Sequence, residues 1–482
     1  MQSPENMKKL FLSAVSFAAL VLLAGCGSSS NMSSSSGTGS GSGSTAPALI
    51  TVSDAPLGSI LSAKVTLSAV SLGASGGTSV SVLSQPETIE LSGLGAVQEP
   101  IELTNVAFGT YSSVSVTVSS ATVTYVNSTG QVVTASATLN SPSVTVSLNP
   151  ALTISTNGEV QLQIAFNLSQ SFSISGSTVT FTPAISTTGA QVENESDNER
   201  QIEVAGQVTA VSSTSITVQC GDSGKQFTFT INGSTQFPSG VTASSIGVGS
   251  FVQINGQAQT DGSMLALSIT PIAGGSQSGQ EGDGGKGIVV AVTHDGSGNL
   301  TGFSMVPQMD FGSMMSGGGS NGTINVVVSS STTYGINENA TNQGLTSASF
   351  SAAEIFAGQA VMVAGSTDNG GNLDAARIVL GAENVPGTLA ATPQASGSNL
   401  DFGITVQVPS FLNTYQKLVT LNAVAGPNTE YDNGMTSSSF ASAAAGTAIQ
   451  TRGFLLVDQN NNFVLYASKV SQPDIPEKPE GN

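Results

Sequence analysis

The chain should fold as an all-β protein, an N-terminal β-sandwich followed by three small OB-like, barrel-like β repeats. Three observations point there. Apolar and polar residues alternate with period two in one stretch after another, which sets one strand face toward a core and the other toward water. Ser, Thr, Val and Gly dominate 482 residues with 56 Gly, no Trp and only 9% charged side chains, a composition suited to pleated surfaces and turns. From about residue 203 onward, one ordered set of Gly, Thr and aromatic positions recurs three times, the mark of an internal repeat.

The amino-terminal stretch is read separately, because it has the form of an address. Met7-Lys8-Lys9 gives a basic start, and Leu10 to Leu23 a short apolar run, the layout of a secretory signal over residues 1–25. Leu23-Ala24-Gly25-Cys26 resembles the bacterial lipobox. That resemblance implies a diacylglycerol on the Cys26 sulfur, with palmitate-like chains, and cleavage just before Cys26. Residues 26–46 are almost wholly Ser and Gly at first; some 20 residues of such coil span roughly 25 Å, so a flexible tether is expected. Gly27 in place of Asp is similar to the pattern that permits outer-membrane sorting. The expected location is a lipid-anchored one at the cell membrane or outer membrane, periplasmic or surface-exposed. No later apolar run approaches the roughly 20 residues that span a bilayer, so a soluble mature chain is expected.

The first folded block covers residues 47–190. Val114, Val116 and Val118 alternate with Ser and Thr, and Ser143 to Leu148 repeats the pattern; many short strands of this kind favour a sandwich. Val52-Ser53-Asp54-Ala55-Pro56, Lys64-Val65-Thr66-Leu67, Glu87-Thr88-Ile89-Glu90-Leu91, Phe108-Gly109-Thr110-Tyr111 and Leu162 to Leu168 together resemble domain-of-unknown-function family 4382. The resemblance brings no catalytic residues. Asp54, ahead of Ala-Pro, is expected to cap a turn; a calcium site would need six to eight oxygens.

An acidic linker is expected at 191–202, a barrel-like repeat at 203–272, a Gly-rich linker at 273–285, and further repeats at 286–381 and 385–470, with a Pro-rich tail at 471–482. Each repeat opens on a Gly (Gly206, Gly287, Gly387) and continues with Thr-x-aromatic: Thr235 and Phe237, Thr332 and Tyr334, Thr429 and Tyr431. An apolar strand follows between two glycines seven apart: Gly249 and Gly256, Gly358 and Gly365, Gly446 and Gly453. Glycines at strand ends permit sharp barrel corners. The first copy, through Gly206 to Val211 and Val248 to Gly256, is similar to domain-of-unknown-function family 5666. Copies two and three depart from it by insertions before the Thr-x-aromatic step.

Charge and motifs narrow the function. The formal net charge is −19, and loss of Lys8, Lys9 and Glu5 with the signal makes it one unit more negative. Nucleic-acid binding, which needs Lys and Arg to neutralise phosphates, is not expected. Gly73-Ala74-Ser75-Gly76-Gly77 spells a nucleophile elbow, but strand-like flanks and a single distant His294 make it a hairpin loop. Gly282 to Gly287 spells a dinucleotide motif, but a strand follows where a helix is required, so it reads as linker. His294 to Asn299 and Asp458 to Asn462 read as hairpin turns, since neither ends in a bidentate Glu. Cys220 has no second thiol once Cys26 is acylated and is expected to be a packed, inert side chain.

Two binding features are weighed against packing. Met305, Met309, Met314 and Met315 could offer soft thioethers to Cu(I), or cover a barrel mouth. Tyr415, in the inserted segment Phe411 to Gln416, is the best exposed candidate for a platform under a sugar ring, and is set against the reading of a loop aromatic folded over its own barrel. No catalytic residue, resident metal or cofactor is expected. The expectation is a non-catalytic envelope lipoprotein, acting as a surface or periplasmic scaffold, adhesin or partner-binding protein, with the membrane as one partner and an envelope protein or glycan as another. The modules would form a string whose weak contacts add up. The alternative is a lipoprotein that binds an oligosaccharide or a metal.

Overall fold

A computed structural model describes residues 44–473, less 56–57, 95–97, 156–158, 192–200, 221–223, 239–240, 260, 272–282, 312–321, 337–349 and 433. Leu23, Ala24, Gly25, Cys26, most of the Ser/Gly stretch, Met314 and Met315 lie outside the described residues, as do the charged run 193–200 and residues 474–482. No helix among the described residues is long and apolar enough to cross a membrane.

The first block is built from β1 (Thr45–Ala55), β2 (Ile60–Ala74), β3 (Ser79–Ser81), β4 (Glu87–Glu90), β5 (Glu99–Ala107), β6 (Gly109–Val126), β7 (Val132–Ser136), β8 (Thr138–Leu139), β9 (Ser143–Ile154) and β10 (Val160–Asn167). One turn of helix, α1 (Leu168–Ser171), then leads to β11 (Phe172–Ser175), β12 (Thr178–Phe181) and β13 (Ile185–Gln191). A four-stranded sheet in the order β13-β10-β1-β5 faces a six-stranded one along β3-β2-β6-β7, with β4 on β2 and β9 on β6. β1 runs parallel to β10 and antiparallel to β5.

Period two does the work in β6, and one of its interruptions is informative. Val114, Val116 and Val118 point inward at 0%, 0% and 1% exposure, then Ala121, Val123 and Tyr125 take over on the opposite parity. Ser119 is the extra residue that switches them: Leu67 pairs with Val118 and Thr66 with Ser120. A one-residue slip would turn the apolar set to water, and a bulge here restores it. Each Val so buried contributes about 1.5–3 kcal/mol. Tyr111, 2% exposed, donates its hydroxyl to Ala107 O at 2.8 Å, which fixes the Phe108–Gly109 corner.

The remaining chain forms three barrels of one topology. The first holds β14 (Gln201–Val211), β15 (Ser215–Cys220), β16 (Lys225–Thr230), β17 (Phe251–Ala258) and β18 (Met264–Pro271). It closes in the order β14-β15-β16-β18-β17. The second uses β19 (Asp283–His294), β20 (Leu300–Phe311), β21 (Ile324–Val327), the added β22 (Thr333–Ile336), β23 (Ala360–Thr367) and β24 (Leu373–Leu380). The third uses β25 (Glu383–Leu389), the added β26 (Gln394–Ser396), β27 (Asn399–Val406), β28 (Thr420–Asp432), β29 (Ala448–Val457) and β30 (Phe463–Ser471). Pairing of β21 with β24, and of β25 with β27, closes these two in the same cyclic order. Short helices α2 (Phe411–Gln416) and α3 (Ser437–Ala441) are inserted in the third.

The recurring residues now have physical reasons. Thr235, Thr332 and Thr429 are buried, and their hydroxyls donate to Ala266 O, Ala375 O and Ala467 O at 2.8, 2.7 and 2.7 Å. Each also accepts the backbone N–H three residues earlier, from Asn232, Ser329 and Gly426. The Thr thus rivets the incoming turn to the last strand. Gly249, Gly358 and Gly446 adopt φ of +88°, +100° and +85°, a region that favours glycine. Their N–H groups donate to Val208 O, Val289 O and Leu389 O on each first strand.

Two expectations change. Asp283 to Gly287, read as linker, form the start of β19, paired on both sides with β20 and β23; glycine there lets three strands approach closely. The modules are also not a string. Residues 43–482 form one compact unit, and one apolar cluster joins Leu61 and Val126 of the sandwich, Ile288, Val306 and Ala360 of the second barrel, and the interior of the third. Phe251 meets Met362 and Val379 across the first and second barrels.

Candidate functional site

In a chain so poor in charge, a group of the described buried ionisable side chains gathers where the four modules meet. Arg452, on β29 and 5% exposed, is the centre. Its Nη2 donates to both carboxylate oxygens of Glu203 on β14, at 2.7 and 2.9 Å, and its Nη1 to Leu94 O at 3.2 Å and Gly93 O at 3.4 Å. One planar guanidinium, whose donors form a fixed fork, therefore ties the third barrel to the first and to the sandwich. Gly93 O also accepts from Lys286 Nζ at 3.2 Å and Asn384 Nδ2 at 3.4 Å.

Around this carbonyl the polar contacts continue. Gln308 Nε2 and Ser92 Oγ both donate to Leu61 O at 3.1 Å, and Gln450 Nε2 reaches Asp54 O at 3.4 Å. Lys225 on β16 donates to Ile101 O at 2.7 Å and to Glu102 at 2.9 Å, with Glu87 at 3.3 Å. A cavity of ≈ 10 Å³ beside the junction is lined by Gly58, Ile60, Ser92, Gln308, Asn384 and Phe411, room for about one water molecule.

Burial sets the electrostatics. Glu383, 1% exposed, accepts Ala360 N at 2.8 Å through Oε1, and its Oε2 has no hydrogen-bond partner. Desolvation pushes this carboxyl up to about 8, although Ala360 N and Lys286 oppose the shift. Glu99 is also pushed up to about 8, first by burial and then by Glu87, Glu90 and Glu203. Lys286 is pulled down to about 8 by burial and by Arg452. These carboxylates face cations, backbone and one another inside a closed junction, so the cluster can fasten modules and exchange protons.

The residues singled out in the sequence are scattered around this junction. Asp54 is in it: it stands next to last in β1 opposite Phe166, 1% exposed, and residues 56–57, the turn it was expected to cap, lie outside the described residues. Tyr415 lies in α2, packed against the third barrel's core, and its hydroxyl is buried without a partner. Burial raises that hydroxyl to about 12. Of the two readings of this ring, the one that folds it over its own barrel fits, because Ser410 caps α2 by accepting Asn413 N and Gln416 Nε2 anchors its end to Ala357 O. Tyr415→Phe should therefore be neutral or stabilise the protein by about 1 kcal/mol, read from the denaturant midpoint; a loss of that size would show that the hydroxyl has a partner.

Met305 is fully buried in the second barrel's core, Met309 stands on β20 in register with Lys286, and the other two methionines weighed for Cu(I) lie outside the described residues. Among the described residues no group of three His, Cys, Asp or Glu could hold a metal ion. Cys220 is buried, and burial with Glu99 and Glu87 nearby holds its thiol well above the ordinary range. Gly73 to Gly77 form the β2–β3 hairpin. Asp295 and Asp458 close hairpin turns by accepting the N–H groups two and four residues on. Arg452, Glu203, Lys286 and Glu383 were not found by sequence reasoning. The available signal was their rarity: a lone cation in the middle of a strand, in a chain with 11 Lys and Arg, needs a partner inside the fold.

Residues 45–183 match the model of a domain of unknown function, DUF4382, and residues 205–270 that of another, DUF5666. No curated protein matches the chain. A solved structure described as drosophila Unr CSD456 is similar at 12% identity, covering 57% of this chain and 98% of that one, with a TM-score of 0.14, a superposition too loose to bear on the fold.

Proposed function

We propose that the chain is a non-catalytic cell-envelope lipoprotein, held through Cys26 at the cell membrane or outer membrane, whose folded body is a rigid scaffold that positions a protein or glycan partner. The observation that carries this reading is the use made of the charged groups. Buried carboxylates and cations are committed to joining four modules through Arg452 and the Gly93 carbonyl, where an enzyme would present them in a cleft. A body so joined, behind a Ser/Gly stretch and Leu-Ala-Gly-Cys, suits holding a partner at a set distance from a lipid surface. Two or three acyl chains would give durable anchoring, at about 0.8 kcal/mol per buried methylene.

The second and third barrels are, in this reading, further copies of the module that matches DUF5666. Support comes from the three equivalent Thr rivets and the three positive-φ glycines bonded to each first strand.

The test is metabolic labelling of the full chain with a clickable palmitate, with membrane flotation. The wild type should carry label and float with membranes, and Cys26→Ser should lose the label and move to the soluble fraction. An unlabelled wild type, or a Cys26→Ser protein that floats equally well, overturns the anchored reading.

A further inference from the structure

The junction gathers charge from every module packed against it. The sandwich contributes Asp54 from β1, Lys64 from β2, Glu87 and Glu90 from β4, and Glu99 and Glu102 from β5. The first barrel brings Glu203 and Lys225, and the second brings Lys286. The third brings Glu383 and Arg452, with Lys469 paired to Asp432 at 2.7 Å and Glu430 nearer the rim. Carboxylates outnumber cations, and Leu61, Ile288, Val306 and Ala360 form one buried apolar cluster across the sandwich and the second barrel.

The two cations with the most direct role are already occupied. Arg452 is spent on Glu203 and two carbonyls, and Lys286 Nζ donates to Gly93 O. Glu383 Oε2 accepts nothing. A charge appearing there would have only Lys286, whose Nζ already donates to Gly93 O, to offset its burial, in surroundings where a buried charge without a hydrogen-bonded partner is costly.

We propose that this cluster makes the contact between the sandwich and the second and third barrels a pH-sensitive latch, closed in mildly acid surroundings and loosened in mildly alkaline ones. Glu383 and Glu99 are held above their open-state range, so the stability they contribute is fully present below about pH 4.5 and is lost as the pH climbs to about 8. Lys286 is held below its open-state range; its burial cost stands below about pH 8 and is relieved between there and about 10.5. The two carboxyls weaken closure from pH 5 to 8, and the one ammonium, with its narrower shift, restores a smaller part of it above pH 8. The latch does not depend on whether Cys26 is acylated, so it stands or falls apart from the anchored reading.

The experiment is amide hydrogen exchange of the full folded body from pH 5 to 9, corrected for intrinsic exchange, on the wild type and on Glu99→Gln/Glu383→Gln. Gln keeps the shape of a protonated carboxyl, so the double variant should fold. One group can change an opening equilibrium by up to tenfold per pH unit. Opening of β25 and of the Leu91–Leu94 turn should therefore rise at least about tenfold between pH 6 and 8 in the wild type. In the double variant most of that rise should vanish, while Asp401→Asn, at an exposed acid on β27 away from the junction, keeps it. A flat wild-type profile overturns the proposal, and so does an equal rise in the double variant.

Discussion

Arg452→Met should destabilise the folded body by about 3–5 kcal/mol, the usual cost of removing one partner from a buried ion pair. The side chains of Arg452 and Glu203 are 6% and 16% exposed, and the guanidinium also serves Gly93 O and Leu94 O. Methionine fills much of the volume but leaves a carboxylate and two carbonyls facing an apolar chain. Adding Glu203→Gln should recover part of the loss, because the stranded charge goes. A double-mutant cycle on denaturant midpoints then gives the coupling. The unfolding curve should also broaden, since the third barrel loses its fastening to the first. An Arg452→Met protein within about 0.5 kcal/mol of wild type would show that apolar contact alone joins the modules.

The second large effect is expected inside the first barrel. Phe229 is fully buried, and Phe229→Ala should cost about 3–5 kcal/mol in lost transfer energy and residual cavity. The ring exists at the expense of a neighbour: a Cβ on Gly256 would lie 2.4 Å from its Cε1 and 3.2 Å from Leu265 O. Gly256→Ala should thus cost about 1–3 kcal/mol through overpacking, and Phe229→Leu should relieve part of that cost by withdrawing the ring. Thermal unfolding of the four combinations measures it. Strict additivity of the two changes would mean that the carbonyl, and not the ring, is what the glycine accommodates.

Much of this architecture could be read from residue order because the causes are local. Alternation in β6 follows from a core on one side, and even the bulge at Ser119 is written as the Ser119-Ser120 break between two valine registers. The Thr-x-aromatic step was visible because a buried rivet and a ring over the barrel core need those side chains at that spacing. The seven-residue glycine bracket was visible because backbone geometry tolerates little else. What stayed hidden is long-range. Lys286 sits among glycines that look like linker until β20 and β23 are seen on either side of it. Arg452 and Glu203 are neighbours across 249 residues. Tyr415 could be read either in the open or folded over its barrel because a short insertion resembles a loop, whereas Phe411 and Leu412 dock that insertion as a helix.

β1, the first strand of the folded body, is hydrogen-bonded on both flanks, to β10 and to β5. Any pull carried by the residues ahead of Thr45 enters the body along that strand. Its ladder bonds then resist together in shear, where an edge hairpin would peel one rung at a time. Because forced unfolding is governed by the barrier to opening and not by equilibrium stability, the placement of β1 gives the body mechanical endurance at the end from which it would be held.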